Sequence, residues 1–396
     1  MKKNDFVRAG NGKRFGSLLA GIALAAGSGV AHAGPTFNFG EEGFVQLNYE
    51  LQIWSQYRDY RSAAVDSSHV DTFLRRNRIT LLGQYNDYVG FYTQLEAGSD
   101  SRYGQDERSV YYRDAYLTLD WTDGIRFMAG RFKNTFTREN LEACLEPLTL
   151  DRGVISYTPF GGTRDTGVAM WGNLADAKLQ YRVMVSDGRE GDEVPSDNPR
   201  LTARAHYSFF DPEYFYGYRG TYLGTQRVLT IGAAYDYQKD AVYANLPGRQ
   251  DARDYSAWTA DIFYEEPMDA GTLTLSAAYM DYSVDGALNS GAPFADTSVD
   301  PSAEMKAYYV KGGWLFPEPI GIGRLQLYAR HEGSDFDRND DFYDQTTNAI
   351  GANYYIDGQQ LKLTFEYAQV DFDEEHPTIN SLRDHKQATI GFQMLF

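Results

Sequence analysis

The last ten residues of the chain alternate between apolar and polar or small side chains. Residues 387–396 read QATIGFQMLF, and one parity comprises Ala388, Ile390, Phe392, Met394 and the terminal Phe396. Alternation with a period of two is typical of a β-strand whose two faces meet different environments. A chain terminus is usually poorly ordered unless a sheet holds it. The pattern therefore predicts a last strand that is paired up to its final residue.

The same alternation recurs along the chain in about sixteen segments of roughly ten residues. Residues 44–53, for example, read FVQLNYELQI. Short turns such as Asn86-Asp87 and Asp357-Gly358 join some segments. Long hydrophilic connections, rich in Asp and Glu, join the others at residues 57–70, 99–108, 187–199, 240–254, 284–303, 333–345 and 373–384. Short turns that alternate with long solvated loops are typical of outer-membrane β-barrels.

Composition separates such a barrel from a soluble β-protein. Aromatic residues make up 15% of the chain, although its mean hydropathy is −0.51. A membrane barrel combines a high aromatic content with a polar average, because lipid-facing apolar residues alternate with lumen-facing polar ones between aromatic girdles. The alternative, a β-sandwich or jelly roll, could not bury so many strands in a core about 10 Å thick. Because lipid offers no partner to an open strand edge, the sheet must close. We predict an all-β, antiparallel transmembrane barrel of about sixteen strands.

The first 33 residues show the three parts of a secretory signal peptide. Basic residues precede an apolar run from Phe15 to Val30, and Ala31-His32-Ala33 forms an A-x-A cleavage site. The alternative, a membrane anchor, is disfavoured because the run contains glycines and is shorter than roughly 20 residues. We predict a signal peptide over residues 1–33 and a barrel domain over residues 34–396. Together they predict localisation in the bacterial outer membrane.

Charge and residue types exclude several classes of function. The net charge of −18 provides no basic face for nucleic acid. The chain has one cysteine, Cys144, and therefore no internal disulfide. Its six histidines are scattered, and no HExxH, CxxC or EF-hand spacing of a metal site occurs. We expect no metal, no cofactor and no nucleic-acid partner.

One long connection has a different composition from the others. Residues 133–165, after the fifth predicted strand, include the apolar residues Leu141, Leu145, Leu148, Ile155 and Phe160. So many apolar side chains would be exposed to water in a solvated loop, which is unfavourable. Connections of this length are usually functional. We predict that this connection folds inward against the barrel wall and constricts the pore.

Several segments resemble the phosphate-selective porin O and P family. They are FLRRNRITLLGQY (73–85), AYLTLDWTDGIRFMAGRFKNTFTRENL (115–141), ISYTPFGGTRDTGVAMWG (155–172) and IGANYYIDGQQLKLTFEYAQVDF (350–372). The resemblance implies a trimeric, sixteen-stranded outer-membrane channel whose third loop enters the pore. It also implies a lumen in which arginine and lysine conduct anions. A C-terminal aromatic residue resembles the end of proteins that the outer-membrane insertion machinery handles.

The charges predicted to face the lumen reverse the acidic bias of the chain. Strand parity places about eleven basic and about eight acidic residues there, whereas residues 34–396 hold 32 basic and 54 acidic residues. Linings of Arg and Lys favour anions, and Arg suits phosphate through paired hydrogen bonds. The predicted anion-binding residues of the constriction are Arg126, Lys133, Arg138, Arg152 and Arg164. On the lumen wall we predict Arg76, Arg78, Arg182, Arg204, Arg324 and Arg330.

These features predict a passive diffusion channel for small ions, favouring anions such as phosphate or other oxyanions. Acidic residues in the inward connection count against phosphate itself, namely Glu139, Glu142, Glu146 and Asp151. A barrel hydrolase is one alternative, but parity places His206 and His331 in the lumen without an evident serine partner. A scaffold that sheathes an electron-transfer cytochrome is another, although the chain itself lacks the haem motif CxxCH. We expect a homotrimer without enzymatic activity.

Overall fold

The computed structural model describes residues 34–61, 66–97, 109–156, 163–190, 194–245, 248–287, 304–337, 343–377 and 382–396. The predicted signal peptide lies outside these ranges. The strands are β1 (Thr36–Phe39), β2 (Gly43–Arg61), β3 (Asp66–Gln84), β4 (Val89–Ala97), β5 (Val110–Thr122), β6 (Ile125–Lys133), β7 (Arg164–Leu174), β8 (Leu179–Ser186), β9 (Arg200–Ser208), β10 (Val228–Asn245), β11 (Gln250–Met268), β12 (Gly271–Ser283), β13 (Glu304–Leu315), β14 (Arg324–Asp337), β15 (Gln345–Asp357), β16 (Leu361–Phe372) and β17 (His385–Leu395). A short helix, α1, spans Arg138–Leu141, and a 3₁₀ turn spans Val154–Ser156. Within the described ranges, no helix has the length and apolar character needed to cross a bilayer.

Strands β2 to β17 close into one antiparallel barrel. Each strand pairs with the next along the chain, and β17 returns to β2 with a register from Leu395 opposite Glu50 to His385 opposite Tyr60. The terminal Phe396 exchanges two backbone hydrogen bonds with Tyr49, of 2.8 and 3.0 Å. Strand β1 pairs with β2 just beyond this point. The predictions of a closed sixteen-stranded barrel and of a paired last strand are therefore confirmed.

The two faces of the barrel have opposite chemistry. Along β9, residues 200, 202, 204, 206 and 208 are buried inside, and every residue between them is exposed on the outside. The inward set is Arg, Thr, Arg, His and Ser, while the outward set is Leu, Ala, Ala and Tyr. A polar interior and an apolar exterior reverse the arrangement of a soluble protein. They match a barrel surrounded by lipid.

Two β-bulges interrupt the alternation and turn extra arginines inward. In β3 the pairing with β2 passes from Arg76 to Leu74, so Arg75 is the additional residue. In β5 the pairing with β4 passes from Asp114 to Tyr112, so Arg113 is the additional residue. A bulge places two neighbouring side chains where the regular pleat would place one. The assignment of lumen-facing residues by strand parity omitted both arginines, because it continued the period of two through each bulge.

The assignment by strand parity also placed one histidine on the wrong face of the barrel. His331 on β14 is exposed on the outer face, where Nε2 lies 2.9 Å from the Tyr308 hydroxyl and Nδ1 lies 2.8 Å from Asn348 Oδ1. Its neighbours in the chain, Arg330 and Glu332, point inward. A residue between two inward-facing residues of an unbroken strand must face outward.

Candidate functional site

The connection after β6 crosses the interior of the barrel. We call residues 134–156 the inner loop. The side chain of Thr137 caps α1, because its hydroxyl accepts a hydrogen bond of 3.0 Å from the backbone N–H of Asn140. Farther along, the carbonyl of Leu148 accepts a hydrogen bond of 2.8 Å from Asn353 on β15. Strand β15 lies almost opposite β6 in the ring, so the inner loop spans the barrel.

Apolar side chains of the inner loop are buried, as its composition predicted. Leu141, Leu145, Leu148 and Ile155 are all at most 5% exposed. Phe160, which belongs to the same predicted set, lies outside the described residues. Burial of four large side chains against the wall opposes release of the loop into solvent, since each contributes about 1.5–3 kcal/mol.

Acidic side chains of the inner loop bind cations of the barrel wall. Asp151 accepts hydrogen bonds from Arg75 at 2.9 Å and from Arg76 at 2.7 Å. Lys311 on β13 lies 2.9 Å from Glu139 and 3.3 Å from Glu142. Burial raises the pKa of Asp151, but the two arginines outweigh burial and hold this pKa well below its usual value. The acids that count against phosphate in the sequence are therefore largely neutralised by the wall.

A second segment enters the lumen from the opposite end of the barrel. It links β9 and β10, and we call residues 209–227 the turn-side segment, because the other connections at this end are short turns. Its backbone joins the inner loop through hydrogen bonds from Ala143 N to Tyr218 O at 2.9 Å and from Tyr218 N to Leu141 O at 3.2 Å. A third runs from Gly220 N to Glu146 O at 3.0 Å. The alternation pattern of the sequence does not predict this segment, although its aromatic residues and glycines distinguish it from a short turn.

A buried ion pair fastens the two segments to each other. Arg138 of α1 donates to both carboxylate oxygens of Glu213, at 2.8 and 2.7 Å. The Tyr222 hydroxyl donates to the same carboxylate at 2.7 Å. The guanidinium also lies 4.4 Å from the ring centroid of Tyr218. Burial raises the pKa of Glu213, but Arg138 outweighs burial and lowers this pKa to about 2. The pair is therefore charged at any physiological pH.

Most of the predicted basic residues lie inside the barrel, but they are neutralised by carboxylates. The pairs are Arg78 with Glu96 (3.0 Å), Arg164 with Asp114 (3.0 Å), Arg204 with Asp261 (2.7 Å) and Arg330 with Glu366 (2.9 Å). Paired charges of opposite sign largely cancel at the distance of a passing ion. These arginines therefore contribute less to the field of the lumen than a count of their charges indicates.

Five interior cations have no carboxylate within ion-pair distance among the described residues. They are Lys133, Arg152, Arg182, Arg324 and Lys362. Each of them donates to backbone carbonyls instead. Arg182, for example, donates to the carbonyl of Tyr216 at 2.6 Å, and Lys362 donates to the carbonyl of Leu145 at 3.1 Å. A carbonyl carries no net charge, so these hydrogen bonds do not cancel the positive charge that each side chain carries when it is protonated.

Arg126 lies away from the other predicted constriction residues. It is at the turn end of β6, seven residues from Lys133, which is about 23 Å along a strand. There it lies 2.7 Å from Asp123 and donates to the Tyr214 hydroxyl at 2.9 Å. Arg126 therefore contacts the turn-side segment rather than the inner loop. Lys133, Arg138, Arg152 and Arg164 belong to the inner loop or to the strand ends beside it.

His206, which the hydrolase alternative requires, is buried in the lumen wall. Its Nδ1 lies 2.7 Å from the hydroxyl of Tyr218. Arg182 also donates to this hydroxyl, at 2.8 Å. The arrangement joins the turn-side segment to the wall, and Tyr218 occupies the position beside the imidazole that a serine nucleophile would need.

Solved structures of outer-membrane proteins share this fold. An anion-selective porin from Comamonas acidovorans aligns with a TM-score of 0.61 and 12% identity, over 90% of this chain and 100% of that one. OmpT of Vibrio cholerae, in a trimer form, aligns with a TM-score of 0.53 and 12% identity, over 90% of this chain and 100% of that one. Identities this low show the fold alone.

Two comparisons of sequence cover most of the chain. A protein of Aquifex aeolicus (strain VF5) that is described as uncharacterized is 23% identical over 367 residues, which is 84% of this chain and 82% of that one. The family model of phosphate-selective porin O and P matches residues 47–396. The chain belongs to the phosphate-selective porin O and P family, and it is an outer-membrane channel through which small ions diffuse.

Proposed function

We propose that the channel conducts anions in preference to cations, and that the inner loop and the turn-side segment together form its constriction. The observation that supports this selectivity is the set of five interior cations without carboxylate partners. Within narrow, low-dielectric walls the field of unpaired charges is focused on the passing ion. Positive side chains in such a position lower the barrier for anions and raise it for cations.

The environment of Cys144 supports a positive potential at the constriction. This residue follows α1 on the inner loop and is buried. Burial alone raises the pKa of a thiol, because it penalises the thiolate. Arg152 and Lys133 outweigh burial, and the pKa of Cys144 is well below its usual value. A site that favours a thiolate also favours other small anions.

Phosphate-like oxyanions are the leading specific solutes in this proposal. Arg152 and Arg182 carry guanidinium groups without carboxylate partners, and guanidinium geometry suits the oxygens of phosphate. Three of the four inner-loop acids, Glu139, Glu142 and Asp151, are already bound by Arg75, Arg76 or Lys311. The fourth acid, Glu146, forms its ion pair with Arg219. Binding must remain weak, since a channel has to release its solute.

Ion selectivity is measured most directly as a reversal potential across a KCl gradient. We expect the reconstituted protein to give the sign of an anion-selective channel, and millimolar phosphate to reduce its chloride current. Replacing Lys362 with methionine removes one unpaired cation, and we expect this change to shift the reversal potential toward that of a non-selective pore. Lys239→Met changes an exposed lysine outside the lumen and serves as the matched control. A cation-selective sign for the unmodified protein would refute the proposal.

The scaffold alternative is less compatible with this interior. A sheathed cytochrome needs an open lumen, whereas the inner loop and the turn-side segment meet within it. The hydrolase alternative lacks an arranged nucleophile at His206. We therefore propose that the channel has no enzymatic activity.

We also infer a homotrimer of chains that begin at Gly34 after cleavage of the signal peptide. The trimer form of OmpT supports the assembly by analogy. The A-x-A site at Ala31-His32-Ala33 supports the cleavage. Native mass spectrometry of protein extracted from outer membranes tests both statements. We expect the mass of three chains of residues 34–396; a monomer mass would contradict the trimer, and retained leader residues would contradict the cleavage.

A further inference from the structure

We propose that a cavity between the inner loop, the turn-side segment and strands β2 to β7 binds an aromatic monocarboxylate. The cavity opens toward the channel and is lined by side chains of all these elements. Sites for small organic molecules are concave and mostly apolar, with a few placed polar groups. The inference rests on the proposed anion selectivity and adds a class of organic solute to it.

One part of the cavity lining is a continuous aromatic surface, which is unusual for the polar lumen of a porin. Tyr92 and Tyr116 stack with their centroids 5.2 Å apart, and Phe132 meets Tyr116 edge-on at 5.8 Å. Trp171 and Tyr216 continue the cluster, with centroids 5.4 Å apart. All five rings line the cavity. An aromatic surface of this extent favours a flat, apolar ligand body over a hydrated inorganic ion.

The charged part of the lining contains one cation without a carboxylate partner. Arg78 and Arg164 are paired with Glu96 and Asp114. Lys133 instead donates to the carbonyls of Leu141 and Glu142. An ammonium group has three N–H donors, so two carbonyls leave one donor available. A cation without a carboxylate partner beside an aromatic surface matches a ligand with one carboxylate.

Two hydroxyl groups add polar atoms to the lining of the cavity. The Tyr216 hydroxyl and the Thr118 hydroxyl are buried in the cavity and have no hydrogen-bond partner among the described residues. Unsatisfied buried polar atoms are costly, and a ligand oxygen would satisfy them. Phosphate fits this cavity less well, because its two charges would meet one available cation and an apolar surface.

Three probes separate the contributions of the ring and of the charge. Benzoate has both, acetate has only the carboxylate, and benzyl alcohol has only the ring. We expect benzoate to reduce the chloride current of the reconstituted protein at an approximately tenfold lower concentration than acetate. We expect benzyl alcohol to have little effect, because it carries no negative charge that could pair with Lys133. Equal effects of benzoate and acetate, or of benzoate and benzyl alcohol, would overturn the inference.

Two substitutions test whether benzoate reduces the current by binding in this cavity. We expect Lys133→Met to weaken the effect of benzoate about tenfold or more, and Tyr216→Leu to reduce the difference between benzoate and acetate. The matched controls are Lys239→Met at an exposed position of β10 and Tyr235→Leu on the outer face, which we expect to behave like the unmodified protein. Unchanged responses to benzoate in both cavity variants would contradict the assignment.

Cys144 provides a second measurement that needs no substitution. It lines the cavity, and it is the only cysteine of the chain. We expect benzoate to slow the reaction of Cys144 with a methanethiosulfonate reagent at concentrations where acetate does not. Equal labelling rates would count against benzoate in the cavity. An anion-selective reversal potential combined with such a result would leave the proposed function intact, whereas a cation-selective potential would refute the proposed function itself.

Discussion

We expect the single-channel conductance to rise when Glu213 is replaced by leucine. The change leaves the buried guanidinium of Arg138 without its carboxylate and removes the acceptor of the Tyr222 hydroxyl. Breaking a buried ion pair from one side costs about 3–5 kcal/mol. A cost of this size changes the equilibrium between joined and separated segments by more than about 100-fold. The inner loop and the turn-side segment should then separate and widen the constriction. Planar-bilayer recording measures the conductance directly.

A double-mutant cycle distinguishes this mechanism from general loss of structure. Arg138→Met alone should also raise the conductance, because it leaves the Glu213 carboxylate unpaired. The combined Arg138→Met and Glu213→Leu variant should return toward the original value, since two apolar side chains can replace a buried ion pair. Glu266→Leu breaks the exposed pair with Arg227 and should have no effect. Additive increases in the double variant would show that the pair does not join the two segments.

The barrel could be predicted because its pattern is local. A period of two fixes which side chains face lipid, and closure follows from the lack of hydrogen-bond partners in lipid. Errors arose where geometry departs from that period. At each bulge one extra residue entered a strand, so Arg75 and Arg113 were not assigned to the lumen. Nothing in the composition of the segments containing these two arginines distinguishes a bulge from a regular strand.

The interior was predicted less completely, because its contacts are distant in sequence. The apolar residues of the inner loop indicated that it folds inward, and Leu148 and Ile155 are indeed buried. The partner of Arg138, by contrast, is 75 residues away, in a connection for which the sequence predicted no role inside the barrel. Charge partners across a barrel depend on the paths of both segments. A count of lumen charges therefore named candidate residues without showing which of them lack a carboxylate partner.

The second large effect concerns pH and Glu146 of the inner loop. This carboxylate is buried, and Arg219 of the turn-side segment lies 3.1 Å away. Burial raises its pKa to about 7, although Arg219, Lys362 and Lys133 act in the opposite direction and Glu50 adds to the increase. Glu146 is therefore mostly neutral at pH 5.5 and mostly charged at pH 8.5. A new negative charge beside Lys133 and Lys362 opposes anions, so we expect anion selectivity to decrease about threefold or more as the pH rises.

The variant Glu146→Gln isolates this titration from that of every other group. Glutamine keeps the shape of the protonated acid but cannot ionise, so the anion selectivity of the variant should decrease less between pH 5.5 and pH 8.5 than that of the unmodified protein. The free energy of unfolding should also decrease as the pH rises. Because the pKa of Glu146 in the folded protein is above the ordinary value of 4.5, its stabilising contribution is full below pH 4.5 and is lost as the pH rises through about 7. Reversal potentials at the two pH values, with Glu266→Gln as the exposed control, measure the effect. A pH dependence that is the same in the Glu146 variant and in the unmodified protein would assign the titration to another group and would contradict a raised pKa at Glu146.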